Sequence, residues 1–326
     1  MGHLAAAIVA LARGAHIGLL QVAARPLEEC GTARCGRPLV PVALVQTGAV
    51  KEWKPSRTAQ AVAAERALLS RWGVLDDPFA AGMLSSGMGA VYRVARLLPH
   101  RVWARSVTLA GLAGRVLWFD GEVVDAIGSG VRQIVTVGAG YDSRPWRFGA
   151  DGVRFFEVDH PATQEDKRRR APGGGPVFVP ADFLGDDIEA LLVDAGLDPE
   201  VPTVFVVEGV TMYLDEAVVR HLLGSLAEVA APGSRLAVDF YPASRPVTGV
   251  HRRQLTLQKV ARVGSSEGFR FCVDRQTAVE LVAASGWEPA RVVPDREAAL
   301  TLVPTDAGLP RDMVTDAKTH IAAVKR

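Results

Sequence analysis

Three carboxylates in this sequence each follow an apolar run of the kind that forms a buried strand. Asp159 closes F-F-E-V-D, Asp182 follows V-F-V-P-A, and Glu208 follows T-V-F-V-V. Upstream, I-V-T-V runs into Gly138-Ala139-Gly140. Glycines just past a parallel strand let a ligand come close to the backbone, and an acid about 20 residues further on can accept hydrogen bonds from ribose hydroxyls. Asp159 holds that place. The turn is shorter than a dinucleotide fingerprint, because Ser143 occupies the third glycine position. A G-x-G alone is also consistent with nothing more than a tight turn. Three acids around it suit a ligand rich in donors and poor in negative charge. That disfavours a pyrophosphate, which seeks a helix N-terminus free of anions, and favours a nucleoside with a cationic centre.

The elements that must hold these residues can be read from the spacing of apolar side chains. Strands are expected over Ile134–Val137, at the run ending in Asp159, and over Val177–Pro180, Thr203–Val207, Ser234–Phe240, Trp287–Val293 and His320–Val324. Helices are expected from Ser56 or Thr58 to Trp72, as further helices over residues 83–130 with the last from about Val116 to Ile127, after Asp159, and over Ile188–Ala195, Asp215–Val229 and Arg275–Ser285. Asp215 is the expected cap of its helix. Seven strands alternating with helices imply an α/β fold with a doubly wound, Rossmann-like sheet, whose ligands bind outside the carboxyl ends of the strands. Residues 1–50 are expected to form a poorly ordered extension, in keeping with a start codon placed too early. Residues 51–130 should form a helical lid, 131–326 the nucleotide-binding core, and 243–270 a polar, irregular stretch.

The 326 residues are 48% hydrophobic and 22% charged, with a formal net charge of +1. That balance gives no global pull toward nucleic acid or a membrane surface, so neither is expected as a partner. Cys30, Cys35 and Cys272 make neither a zinc pattern nor a disulfide framework, and no metal is expected; the odd count fits a reducing cytoplasm. Leu4–Ala12 is apolar but too short to span a bilayer, and no Lys or Arg precedes it. The basic run Lys167-Arg168-Arg169-Arg170 reads as a solvated helix face.

The strings V-G-A-G-Y-D-S-R-P-W-R-F, F-F-E-V-D-H-P, A-D-F and V-V-E-G-V-T-M-Y-L, in that order, resemble the leucine carboxyl methyltransferase family of S-adenosylmethionine-dependent O-methyltransferases. The resemblance runs from about Ser56, in S-R-T-A, to the C-terminus, and is strongest from Arg115 to Tyr213. It implies a methyltransferase sheet with S-adenosylmethionine as cofactor. Gly138 and Gly140 would make room for the cofactor and Asp159 would bind its ribose. Asp182 and Phe183 would hold and cover the adenine. Arg115, in G-R-V-L-W-F-D, would pair with the cofactor carboxylate, with Arg66 as a weaker second basic contact, and Glu208 would face the amino-acid part. Ser143 stands where the family usually has threonine, and Phe183 where it has leucine.

The acceptor is expected to be a carboxylate or acidic hydroxyl on a small molecule or peptide. An ionised carboxylate needs no base, whereas a hydroxyl does, and no convincing base is evident. Tyr213 is the candidate for a role at the acceptor. Asp142 with Arg144 reads either as a pair closing the turn or as part of the site, and His160 should point away from Asp159. Two other classes compete: a protein that binds the cofactor without turnover, and a nicotinamide-dependent oxidoreductase on the same sheet.

Overall fold

The apolar runs pair into a seven-stranded sheet: β1 Gln133–Val137, β2 Arg154–Asp159, β3 Val177–Pro180, β4 Thr203–Val207, β5 Arg235–Phe240, β6 Glu288–Pro294 and β7 Thr319–Val324. The computed structural model describes residues 55–242, 268–316 and 318–326. The expected extension over 1–50 and most of the polar stretch 243–270 lie outside the described residues. Pro55–Arg326 is a unit of its own.

The order across the sheet is β3-β2-β1-β4-β5-β7-β6. Strands β1 to β5 are parallel, and β7 runs antiparallel to both its neighbours. The chain path explains the reversed strand. β6 ends at Pro294, and the next amide, of Asp295, donates to the Lys318 carbonyl just ahead of β7 (3.0 Å). The link between the two strands therefore returns to the end of the sheet it left, and β7 can only run back down.

Successive strand residues point to opposite faces, and both faces are covered. Val135, Val137, Phe156, Val158, Phe205, Val207, Leu236 and Val238 pack on one side with Leu222, Leu226 and Leu281. Ile134, Phe155, Val204, Val206 and Ala237 pack on the other with Trp118, Phe119, Val123 and Ala126. A sheet buried on both faces explains why its strands read as continuous apolar runs.

The helices ahead of β1 are α1 Arg57–Arg71, α2 Ser86–Ala95, α3 His100–Trp103 and α4 Val107–Gly128. Ser56 caps α1 by accepting from the Ala59 amide (3.1 Å). Helix α4 starts well before the expected Val116, with Ser106 accepting from the Leu109 amide (3.2 Å). Its first half carries Gly111 and Gly114, which read as breakers. They are tolerated because a second helix lies close by: a Cβ on Gly114 would stand 2.8 Å from the Ala299 nitrogen and 2.9 Å from its Cα. The second half of α4, with Trp118 and Phe119, covers the sheet.

The remaining helices are α5 Arg144–Arg147, α6 Pro161–Arg168, α7 Ile188–Asp194, α8 Glu216–Glu228, α9 Arg275–Ala284 and α10 Asp295–Leu302. Asp215 holds the cap position of α8 without capping it; its carboxylate accepts from Arg270 instead (2.9 Å).

Candidate functional site

The first parallel strand ends in a turn whose glycines both have left-handed backbone, Gly138 at φ +66 and Gly140 at φ +51. Asp159 ties this turn to the end of β2: one carboxylate oxygen accepts from the Gly140 amide (2.5 Å), the other from the His160 amide (2.6 Å). The space beside the glycines is used by the protein itself. A Cβ at Gly138 would overlap Val210 Cγ2, and one at Gly140 would lie 2.9 Å from Ala59 Cβ. On the side a Cβ would take, the two glycines make room for the loop after β4 and for α1. The His160 ring caps α6, its Nδ1 accepting from the Ala162 amide (3.2 Å).

Behind the turn runs a chain of buried ion pairs. Arg144 Nη2 donates to Glu208 (2.7 Å), Nε to Asp120 (2.8 Å) and Nη1 to Asp142 (3.3 Å), and Asp120 also accepts from Arg147 (2.5 Å). The other Glu208 oxygen accepts from Arg115 Nε (3.0 Å). Asp142 therefore does close the turn with Arg144. Burial pushes the Glu208 carboxyl up, but Arg144 and Arg115 outweigh it and hold it below the usual range. For Arg115, burial opposes charge while Glu208, Tyr241 and Asp239 favour it, and the guanidinium stays firmly cationic.

Arg66, expected as a second basic contact to the cofactor, is committed elsewhere. Its Nε donates to Asp77 (2.9 Å), Nη1 to the Tyr141 carbonyl (2.9 Å) and Nη2 to Ser143 Oγ (2.5 Å). It is a buried brace from α1 to the glycine turn. The basic run after β2 divides as well. Lys167 is fully buried against Glu157 (2.6 Å), where burial lifts the Glu157 carboxyl to about 7 despite the lysine. Only Arg168 and Arg169 are the exposed cations expected of the whole run.

Asp182 and Phe183 lie beyond β3, just past Pro180, which pairs with Asp159 in the register, and both are partly buried. One Asp182 oxygen accepts from the Leu184 amide (3.0 Å), and Phe183 packs against the main core. Tyr213 ends the turn after β4, its ring edge-on to Phe269 at 5.7 Å; Phe269 in turn meets Tyr241 at 5.2 Å.

Four further groups were not singled out by sequence reasoning. Asp239, fully buried near the end of β5, accepts from the Gly209 amide with one oxygen (2.7 Å), while the other has no hydrogen-bond partner among the described residues. Tyr241 follows β5, its hydroxyl 3.4 Å from Arg115 Nη1. Lys318 pairs with Asp295 (3.3 Å), its ammonium 5.3 Å from the Tyr241 ring centroid. Glu65 on α1 is the most distinctive, since burial raises its carboxyl to about 7 even though Arg115 and Lys318 pull it down. Asp239 could have been found as the acid ending L-A-V-D-F; the other three carry no local signal.

An open sheet of this order, with a glycine turn and strand-end carboxylates at the switch point between β1 and β4, defines a nucleoside-binding α/β protein. The particular family follows from comparison. The model of leucine carboxyl methyltransferase matches residues 59–227. A Mycolicibacterium smegmatis protein assigned as an S-adenosyl-L-methionine-dependent methyltransferase is 32% identical over 251 residues, covering 71% of this chain and 82% of its own. A Mycobacterium marinum protein of the same assignment is 33% identical over 249 residues, covering 72% and 82%. Among solved structures, a protein assigned as a methyltransferase from Thermobifida fusca matches with a TM-score of 0.53 at 18% identity, over 84% of this chain and 96% of that one. A DUF574-family protein from Streptomyces avermitilis gives 0.52 at 19%, over 82% and 97%. At those identities the solved structures speak to fold alone. This chain belongs to the leucine carboxyl methyltransferase family.

Proposed function

We propose that the protein is an S-adenosylmethionine-dependent methyltransferase acting on oxygen, with a carboxylate or acidic hydroxyl of a small molecule or peptide as acceptor, and that it works in the cytoplasm. The observation that carries this reading is the set of carboxylate acceptors at the carboxyl ends of the strands. Asp159, Asp182 and Glu208 stand at or just past the ends of β2, β3 and β4, Asp239 lies near the end of β5, and Arg115 is bonded to Glu208. Such a set fits a zwitterionic nucleoside bearing an extra positive centre. It fits a dinucleotide poorly, because pyrophosphate would meet the same acids.

S-adenosylmethionine supplies a methyl group on a sulfonium, transferable to an ionised oxygen without proton or redox chemistry. In the proposed roles Asp159 takes the ribose hydroxyls, Asp182 and Phe183 hold the base, and Arg115 takes the carboxylate. Gly138 and Gly140 let the backbone turn beneath the ligand. Glu208, held between Arg115 and Arg144, fixes the arginine that faces the amino-acid part. Arg66 acts one step removed, by bracing the turn at Tyr141 and Ser143. Tyr213, with Phe269 and Tyr241, lines the acceptor side. Positioning of the acceptor oxygen in line with the leaving group can supply much of the rate. For a hydroxyl acceptor, the candidate to take the proton is Glu65 on α1, which lies within electrostatic reach of Arg115 and whose carboxyl burial raises to about 7.

The experiment is a thermal-shift titration with S-adenosylmethionine, S-adenosylhomocysteine and NAD in parallel. A ligand at about 100 times its dissociation constant should stabilise the native state by about 2.7 kcal/mol. The expected result is a shift with the first two only, followed by transfer of labelled methyl to members of a carboxylate and phenol panel. A shift with NAD alone would refute the reading, and cofactor binding without transfer to any member would favour a non-catalytic binder.

A further inference from the structure

From Pro78 to Phe119 the chain carries no Asp or Glu, although its net charge is only +1. Four arginines of this stretch, Arg93, Arg96, Arg101 and Arg105, are exposed. None of their guanidinium groups has a hydrogen bond or ion pair among the described residues. All four lie on or beside α2 and α3, the helices least committed to the core: Ala95 is the single buried residue of α2, and α3 has none.

The same surface carries uncovered aliphatic side chains. Leu97 is 78% exposed, Val102 48% and Val94 42%. Arg93, Val94 and Leu97 follow one another at the spacing of a single helix face, continuing past the end of α2 into the next turn. On its opposite side α2 is anchored through Met88 and Tyr92, which pack with Tyr141, the residue after Gly140. Helix α2 is therefore fixed near the glycine turn by one face while Arg93, Val94 and Leu97 project from the other, and Arg101, Val102 and Arg105 follow as exposed side chains on and beside α3.

We propose that the α2–α3 segment docks on the surface of an anionic phospholipid bilayer. Unpaired arginines complement phosphate headgroups, and aliphatic side chains interleaved among them enter the headgroup boundary while the arginine stems extend to the charged layer. A protein partner of acidic surface shares the charge argument, but a specific protein interface centres on anchors packed in pockets, and this face presents small helices with single projecting side chains. The contact is peripheral, as none of the helices among the described residues is long and apolar enough to cross a membrane. It adds a membrane surface to the partners of a chain whose overall charge gave no reason to expect one.

The test is co-sedimentation of the full-length protein with vesicles of phosphatidylcholine alone or mixed with phosphatidylglycerol, at low and high salt. Binding should require phosphatidylglycerol and weaken as salt screens the charges. Each arginine removed should lower the partition coefficient about fivefold, so R93Q/R101Q should bind about thirtyfold more weakly, and Leu97→Asp should also weaken binding. The thermal shift with S-adenosylhomocysteine should be unchanged in these variants, which separates loss of docking from loss of fold or of the cofactor site. Equal binding to both vesicle types, binding to neither, or variants that bind like the parent protein would overturn the proposal. So would an acidic protein partner retained on this face by a protein that leaves vesicles unbound.

Discussion

At the scale of single residues, Asp159 has two tasks that pull against separate measurement. It is the proposed ribose acceptor, and it also ties the Gly140 and His160 amides together. Asp159→Ala should therefore weaken S-adenosylhomocysteine binding by ~1.5–3 kcal/mol, for hydrogen bonds to a charged group, and lower stability by about 1 kcal/mol or more. Calorimetric titration beside a thermal melt distinguishes the two losses; unchanged affinity would remove Asp159 from the cofactor site. Glu65 gives a prediction whose sign depends on pH. Its carboxyl is raised from 4.5 to about 7 in the fold, so the native state binds the proton more tightly than the unfolded chain. The stability this contributes is complete below the unfolded value and is lost as pH rises through about 7. Glu65→Gln should accordingly raise the melting temperature near pH 8 and leave it nearly unchanged near pH 4. The Glu157 carboxyl also sits at about 7, but it is common to both proteins and cancels in the comparison. A Gln variant less stable than the parent at pH 8 would mean that Glu65 makes a net favourable pair with Arg115 or Lys318.

At the scale of elements, α4 shows how a propensity rule reverses under packing. Alanine is the better helix former by about 1 kcal/mol, yet at Gly114 its Cβ would meet the Ala299 backbone at 2.8 Å, and backbone cannot swing aside. Gly114→Ala should destabilise by about 1–3 kcal/mol. Gly121, in the same helix, has nothing within 4 Å of the position a Cβ would take. Gly121→Ala should stabilise by up to ~1 kcal/mol. Denaturant melts of the two variants test the pair: equal effects would place α4 and α10 farther apart than the structure has them. The same helix illustrates what was legible. Its second half announced itself through apolar spacing, whereas the start of the helix at Val107 and the close approach of α10 at Gly114 depend on a segment distant in the chain.

At the scale of the whole molecule, the last strand decides whether the sheet closes. β7 pairs with β5 on one side and β6 on the other, from Thr319 to Val324. A chain stopped after Lys318 would leave two strands with unpaired edges and remove Ile321 and Ala323 from the core. It should be insoluble or unfolded, as judged by soluble yield and circular dichroism; a folded, soluble product would contradict the pairing. The sequence by itself determined the alternation of strands and helices, the glycine turn and the acids at the strand ends, because backbone period and burial leave a local trace in residue type. It could mark Asp159, Asp182 and Glu208 as ending strands, since a polar side chain after a buried run is visible within a few positions. The tertiary structure alone decided the reversed direction of β7, the burial of Lys167 against Glu157, the capture of Arg66 by Asp77 and the glycine turn, and the approach of Glu65 to Arg115 and Lys318. Each of these depends on which distant segment comes alongside, and a side chain's charge state and partners are set by that neighbour rather than by the residues next to it in the chain.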